Sequence, residues 1–145
     1  MFIKLTNGVP ETYTIGQLRQ DNPNVSFPRN IPTATLAEYN VYPLQPAPIP
    51  NYNELTETYK EVTPIQSEGQ WVQTFAVEQL PEQEASALVR SVRNDKLSSS
   101  DWTQVADAPV DKTAWATYRQ ALRDIPSQEG FPFNVTFPTQ PTVIG

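Results

Sequence analysis

Neither cysteine nor histidine occurs in this chain of 145 residues. Without cysteine there is no disulfide, no thiolate zinc site and no cysteine nucleophile, and a reducing compartment suits such a protein. Without histidine the commonest general base and transition-metal ligand is missing, so proton transfer would fall to Asp, Glu, Lys or Tyr. Positive charge is scarce as well: 10 Lys and Arg face 16 Asp and Glu, a formal charge of -6. Nucleic-acid affinity depends on neutralising phosphates, so this balance argues against DNA or RNA as a partner. No stretch approaches the roughly 20 apolar residues of a membrane helix. The start, "MFIKLTNGVPE", lacks the charged region and apolar run of a secretory signal. A soluble, non-secreted protein without a membrane partner is expected.

Proline, in contrast, is plentiful, with 15 in the chain, while hydrophobic residues reach 38% and aromatics 10%. That composition supports a core but interrupts long regular elements. The length allows one ordinary domain or two very small ones.

In "FIKLTNGVPETYT", Asn7-Gly8 sits between two β-forming runs, a strong hairpin signal, and Pro10 confines the second strand to a sheet edge. Thr14 and Gln17 have capping-box spacing, so a short helix with Ile15 and Leu18 inward should stop at Asn22-Pro23. "NVSFP" reads as a brief strand, and "TATLAEYNVYPL" as a helical turn sending Leu36, Tyr39 and Val41 to the core. "YPLQPAPIPNYN", with prolines at 43, 46, 48 and 50, reads as a polyproline-like strap. It is either a spacer or a ligand for an aromatic groove. "TYKEVTPIQ" and "QWVQTFAVEQL" flank Ser67-Glu68-Gly69 as a second hairpin, with Trp71, Gln73, Phe75 and Val77 on one face.

After residue 81 the period becomes helical. Ala85, Leu88, Val89 and Val92 form a stripe, Pro81 suits the first helical position, and Glu82 and Glu84 complement the dipole. A second helix starts at Asp111 as N-cap and carries Trp115, Tyr118, Leu122 and Ile125 inward before Pro126. The tail "GFPFNVTFPTQPTVIG" alternates Phe with Pro and reads as extended chain laid over a surface.

Catalysis would need carboxylates placed in contrasting environments. Asp101, Asp107, Asp111 and Asp124 are the candidates for a small hydrolase, but their spacing matches no calcium loop, phosphate loop or nucleophile elbow. Asp101 and Asp111 read as helix-end caps. No catalytic residue, cofactor or metal is expected. Trp102, Trp115 and Tyr118 can be core, or they can be contacts, since aromatics and arginine are the residues of interface hot spots. One tryptophan can anchor the helix pair while the other faces outward. Arg119 and Arg123, four apart, share a helix face and are either solvated or aimed at a partner's carboxylates.

Residues 85–141 resemble the bacteriophage tail fibre assembly proteins, also described as tail assembly chaperones. The likeness rests on Arg90 and Arg93, Asp101-Trp102-Thr103-Gln104, Trp115, Tyr118-Arg119-Gln120, Leu122-Arg123-Asp124-Ile125-Pro126, and Val135, Pro138 and Pro141. Phe137 stands where that pattern has Trp. Residues 9–52 are similar to N-terminal modules attached to such proteins. The resemblance implies a non-enzymatic partner of a trimeric tail fibre, acting in its folding, trimerisation or attachment. It implies action in the host cytoplasm, or retention on the particle as a permanent tail or baseplate component. The partner-binding residues so indicated are Trp102, Trp115, Tyr118, Arg119, Arg123, Phe131, Phe133 and Phe137. The expected fold is α+β: a mixed module over 1–44, a proline-rich linker over 45–56, and a domain over 57–145 with a β-hairpin, a helical hairpin and an extended tail.

Overall fold

Asn7 and Gly8 take positive φ, 53° and 81°, the backbone that a two-residue turn between twisted strands requires. The turn joins β1 (Phe2–Thr6) to β2 (Val9–Tyr13), antiparallel with Phe2 opposite Tyr13 and Thr6 opposite Val9. The computed structural model describes residues 1–142, so the last three residues of the expected tail lie outside the described residues.

The chain forms two units that alternate along the sequence. A sheet unit comprises Met1–Asn51 and Tyr59–Val77; a helical unit comprises Tyr52–Thr58 and the chain from Glu78 onward. This division differs from the expected one. The hairpin assigned to the C-terminal domain joins the N-terminal sheet, and Tyr52–Thr58, read as linker or strand, belongs with the helices.

In the sheet unit, α1 (Ile15–Asp21) opens on the expected capping box: Thr14 Oγ1 accepts from Gln17 N–H at 3.0 Å, and Gln17 Oε1 accepts from Thr14 N–H at 2.8 Å. α2 (Thr33–Glu38) follows, and then β3 (Val41–Gln45), where the sequence reading placed helix and strap. The "NVSFP" segment forms no strand. With Pro23 and Pro28 bracketing it, it instead turns Phe27 edge-on to Tyr39, 5.4 Å between ring centres.

β4 (Glu57–Ser67) and β5 (Gln70–Gln79) complete the order β2-β1-β3-β5-β4, with β3 parallel to β5 and antiparallel to β1. Glu68 and Gly69 make the second two-residue turn with φ of 50° and 78°. Phe2, Tyr13 and Val41 share one sheet face and pack with Leu18 and Leu36 from the two helices. Ile3, on the other face, is fully buried. The edge strands β2 and β4 line a common cavity through Pro10–Thr12 and Glu61–Pro64, so the sheet curls its edges toward each other over that second face. A proline on each edge removes a donor that a stray strand could use.

Tyr13 donates its hydroxyl to Asp21. Burial, then that bond and the Asp21 charge, push its pKa from 10.0 up to about 12. A raised acid keeps its proton longer in the folded state, so the contact's stability is present below pH 10 and fades as pH climbs from 10.0 to about 12. An absorbance titration of the phenolates should therefore show one tyrosine ionising late. In Asp21→Asn that transition should move back toward ordinary pH.

In the helical unit, α3 (Glu82–Ser100) and α4 (Lys112–Arg123) form the expected pair, with Pro81 as N-cap rather than first helical residue. Val89, Trp115, Tyr118, Leu122 and Ile125 build the core. Leu88, expected in the buried stripe, is exposed. It sits one position outside the narrow Ala85–Val89 stripe (i, i+4) that α3 buries. Leu55 packs on this core, and Leu80 N–H donates to Thr56 C=O at 2.8 Å.

The tail does not simply run extended. Asn134 N–H closes on Gly130 C=O at 2.8 Å, and the Gln128 amide pairs with the Thr136 backbone at both ends, 2.8 Å each. A Cβ on Gly130 would lie 2.3 Å from the Asn134 carbonyl oxygen. Gly130→Ala should cost about 1–3 kcal/mol by overpacking, read as a lower urea midpoint.

Candidate partner-binding site

The stretch from Ser98 to Pro126 is built around one guanidinium. α3 ends in three serines, and the hydroxyls of the last two turn back on the helix, Ser99 donating to Asp95 C=O at 2.9 Å and Ser100 to Lys96 C=O at 2.7 Å. Such residues compete with the helical ladder and favour its end. A 3-10 turn, Asp101–Gln104, follows directly. Its Thr103 is fully buried and donates to Ser100 C=O at 2.6 Å. α4 is capped by Asp111, whose Oδ1 accepts from Ala114 N–H at 3.1 Å.

Arg119 reaches from α4 across to these groups. Its Nη1 donates to Leu97 C=O at 2.6 Å and to Ser100 Oγ at 2.7 Å, and its Nη2 pairs with Asp101 Oδ1 at 2.6 Å. The planar fork satisfies a helix C-terminus and a carboxylate together, which a lysine cannot reproduce. Asp101 is thus the partner of Arg119 as well as the residue that ends α3.

The two tryptophans part company here. Trp115 is 2% exposed, edge-on to Tyr118 at 5.6 Å, and its buried Nε1 has no hydrogen-bond partner. Trp102 is 45% exposed, its ring centre 6.3 Å from that of Trp115. Val105 is 51% exposed, and its N–H reaches Trp102 C=O at 3.4 Å. Val105 leaves the 3-10 turn in extended backbone, and with Trp102 it gives this end of the turn two exposed apolar side chains, a ledge on a braced base. The sequence reading missed Val105; its signal was the spacing of three from Trp102.

Five of the other indicated partner contacts are turned inward or half-buried. Tyr118 and Arg119 are buried, so Arg119 and Arg123 do not act as an outward pair; Arg119 lies on the Trp115–Leu122 stripe and Arg123 is exposed. Phe131 and Phe137 pack half-buried on the core beneath cations of α3, with the Arg90 guanidinium 5.3 Å and Lys96 Nζ 5.9 Å from their ring centres. Phe133 is half-buried and lines a small cavity with Val89 and Leu55. Of the eight, Trp102 and Arg123 remain open to solvent.

The four aspartates do not converge. Asp101 pairs with Arg119, Asp111 caps α4, Asp124 accepts from Gln120 Nε2 at 3.0 Å, and Asp107 is exposed. Among the described residues no group of three acidic side chains could hold a metal ion, and no helix is long and apolar enough to cross a membrane.

Residues 86–142, covering most of α3 and all of α4 with the tail, match the family model of the phage tail assembly chaperone protein. No curated protein and no solved structure matches the chain.

Proposed function

We propose, with the match over residues 86–142 as premise, that this protein is a phage tail assembly chaperone that binds a tail fibre protein through the Trp102–Val105 ledge, with Arg123 as a charged contact. The observation that carries the reading is Trp102, a large aromatic left 45% exposed inside the matched segment. It stands on a turn fixed by Arg119, so little side-chain and loop freedom remains to be lost on binding. Exposed, pre-ordered tryptophan is the residue type of binding hot spots. Its partner would be apolar or strand-edge surface on an immature trimeric fibre, surface that aggregates when left uncovered. Arg123 would set orientation.

Such a chaperone would act in the host cytoplasm on a fibre that is still folding, trimerising or attaching to other tail or baseplate proteins. Co-expression of the fibre with and without this chain tests it. Soluble fibre trimer should fall sharply when the chain is omitted, and Trp102→Ala should weaken capture by about 2 kcal/mol, roughly 30-fold. Equal trimer yield in its absence would refute the chaperone role. Stoichiometric copies in purified virions would identify a permanent tail component instead.

A further inference from the structure

One cavity of the sheet unit has walls without a charged side chain. About 310 Å³ in volume, it lies beside the β4–β5 turn and is lined by the half-buried Tyr42, Trp71, Leu5 and Pro43, by Gly69 and by three glutamines, Gln45, Gln66 and Gln70. No Asp, Glu, Lys or Arg lines it. Two further cavities of the unit include Glu11 and Glu61, or Arg29, in their walls. We propose that this cavity binds a neutral hexopyranose, one ring of a saccharide, independently of the fibre-binding ledge.

The chemistry selects that class. A hexopyranose has hydroxyls that both donate and accept, and each glutamine amide offers two donors and an acceptor on adjacent atoms. Its C–H faces are apolar and suit the face of an indole or phenol ring. A charged ligand would enter without a counter-charge and lose its hydration. A purely apolar ligand would desolvate glutamine amide groups of the lining without pairing them. A proline-rich peptide could use the two rings but leaves the amides idle. The volume is at the lower end of the range for small-molecule sites, about 300–1,000 Å³, which suits a single sugar ring.

The geometry is also fixed in advance. With both central residues at positive φ, the Glu68-Gly69 turn sets the register of β4 against β5 and with it the separation of Gln66 from Gln70. The pairing of Leu44 with Trp71 ties the indole-bearing strand to β3, which carries Tyr42 and Gln45.

The test is an NMR titration of the full chain with methyl glucoside, methyl galactoside and N-acetylglucosamine, with glucuronate and a proline-rich peptide in parallel. At least one neutral sugar should give saturable millimolar shifts of the Trp71 indole N–H and the Gln66 and Gln70 amides, leaving the Trp102 and Trp115 indoles unmoved. Trp71→Ala should abolish them. Should that variant misfold, the double variant Gln66→Ala/Gln70→Ala, at two exposed positions, should keep the fold and weaken binding about tenfold. No saturable shift with any neutral sugar, unchanged affinity in the double variant, equal binding of glucuronate, or a response to the peptide alone would each overturn the proposal.

Discussion

Trp115→Ala is expected to cost the helical unit about 3–5 kcal/mol, a large part of the 5–15 kcal/mol that typically holds a domain together. The indole is 2% exposed and sits among Val89, Tyr118, Leu122 and Ile125, the side chains that join α3 to α4. Removing it leaves a cavity lined by aliphatic and aromatic groups held by α3, α4 and the turn after α4, which collapse poorly onto the gap. Urea denaturation followed by circular dichroism should show the loss. Trp102→Ala should move the midpoint far less, because that ring is 45% exposed. Trp115→Phe should be mild: it gives up apolar area but also removes an indole N–H that has no partner. A Trp115→Ala midpoint close to that of the parent protein would mean the core lies elsewhere.

Arg119→Ala is expected to cost about 2–4 kcal/mol, since three charge-assisted hydrogen bonds are lost and the Ser100 hydroxyl loses the donor it accepts from. Arg119→Lys should recover little, because a point charge on a flexible stem cannot serve two oxygens of α3 and a carboxylate at once. Asp101→Asn should cost under about 1 kcal/mol, its carboxylate being largely solvated. The Asp101–Arg119 coupling in a double-mutant cycle should be correspondingly small beside the full Arg119 effect. If the proposed ledge is right, Arg119→Ala should also weaken fibre capture at temperatures where the unit stays folded, since Trp102 would lose its fixed base.

Local chemistry was legible in the sequence wherever one residue type dominates a conformation. Asn7-Gly8 announced a turn because few other pairs accept two positive φ values, and Thr14 with Gln17 announced a helix start because two side chains can satisfy two orphan donors. The helical pair followed from spacing alone. β3 was hidden by its own proline and the proline run that follows it. Pro43 is tolerated because it faces Phe2 in a non-hydrogen-bonded pair: Leu44 N–H donates to Met1 C=O at 2.9 Å, and the β5 ladder begins only at Leu44. No local signal shows which strand a proline will face. The same holds for Leu55, whose place on the helical core depends on residues more than thirty positions away.

At the site, the aromatic and guanidinium composition pointed to the right segment but not to the direction of each side chain. Arg119 and Arg123 are four apart on one helix, yet one is interior because its fork can serve oxygens at the end of α3. Only the fold reveals those acceptors. Trp102 and Trp115 are likewise indistinguishable by type, and are separated by whether the ring falls on the stripe of α4 or on a turn outside it.

The interleaving of the units also bears on how the molecule can be taken apart. The chain passes from one unit to the other after residues 51, 58 and 77, so a single protease cut at any of these crossings frees neither unit from the other. A nick at residue 77 yields two fragments of which the first still carries Leu55, a side chain belonging to the core of the second. A fragment beginning where the family match begins would be missing that piece, and restoring it would take a permuted or re-linked chain rather than a truncated one.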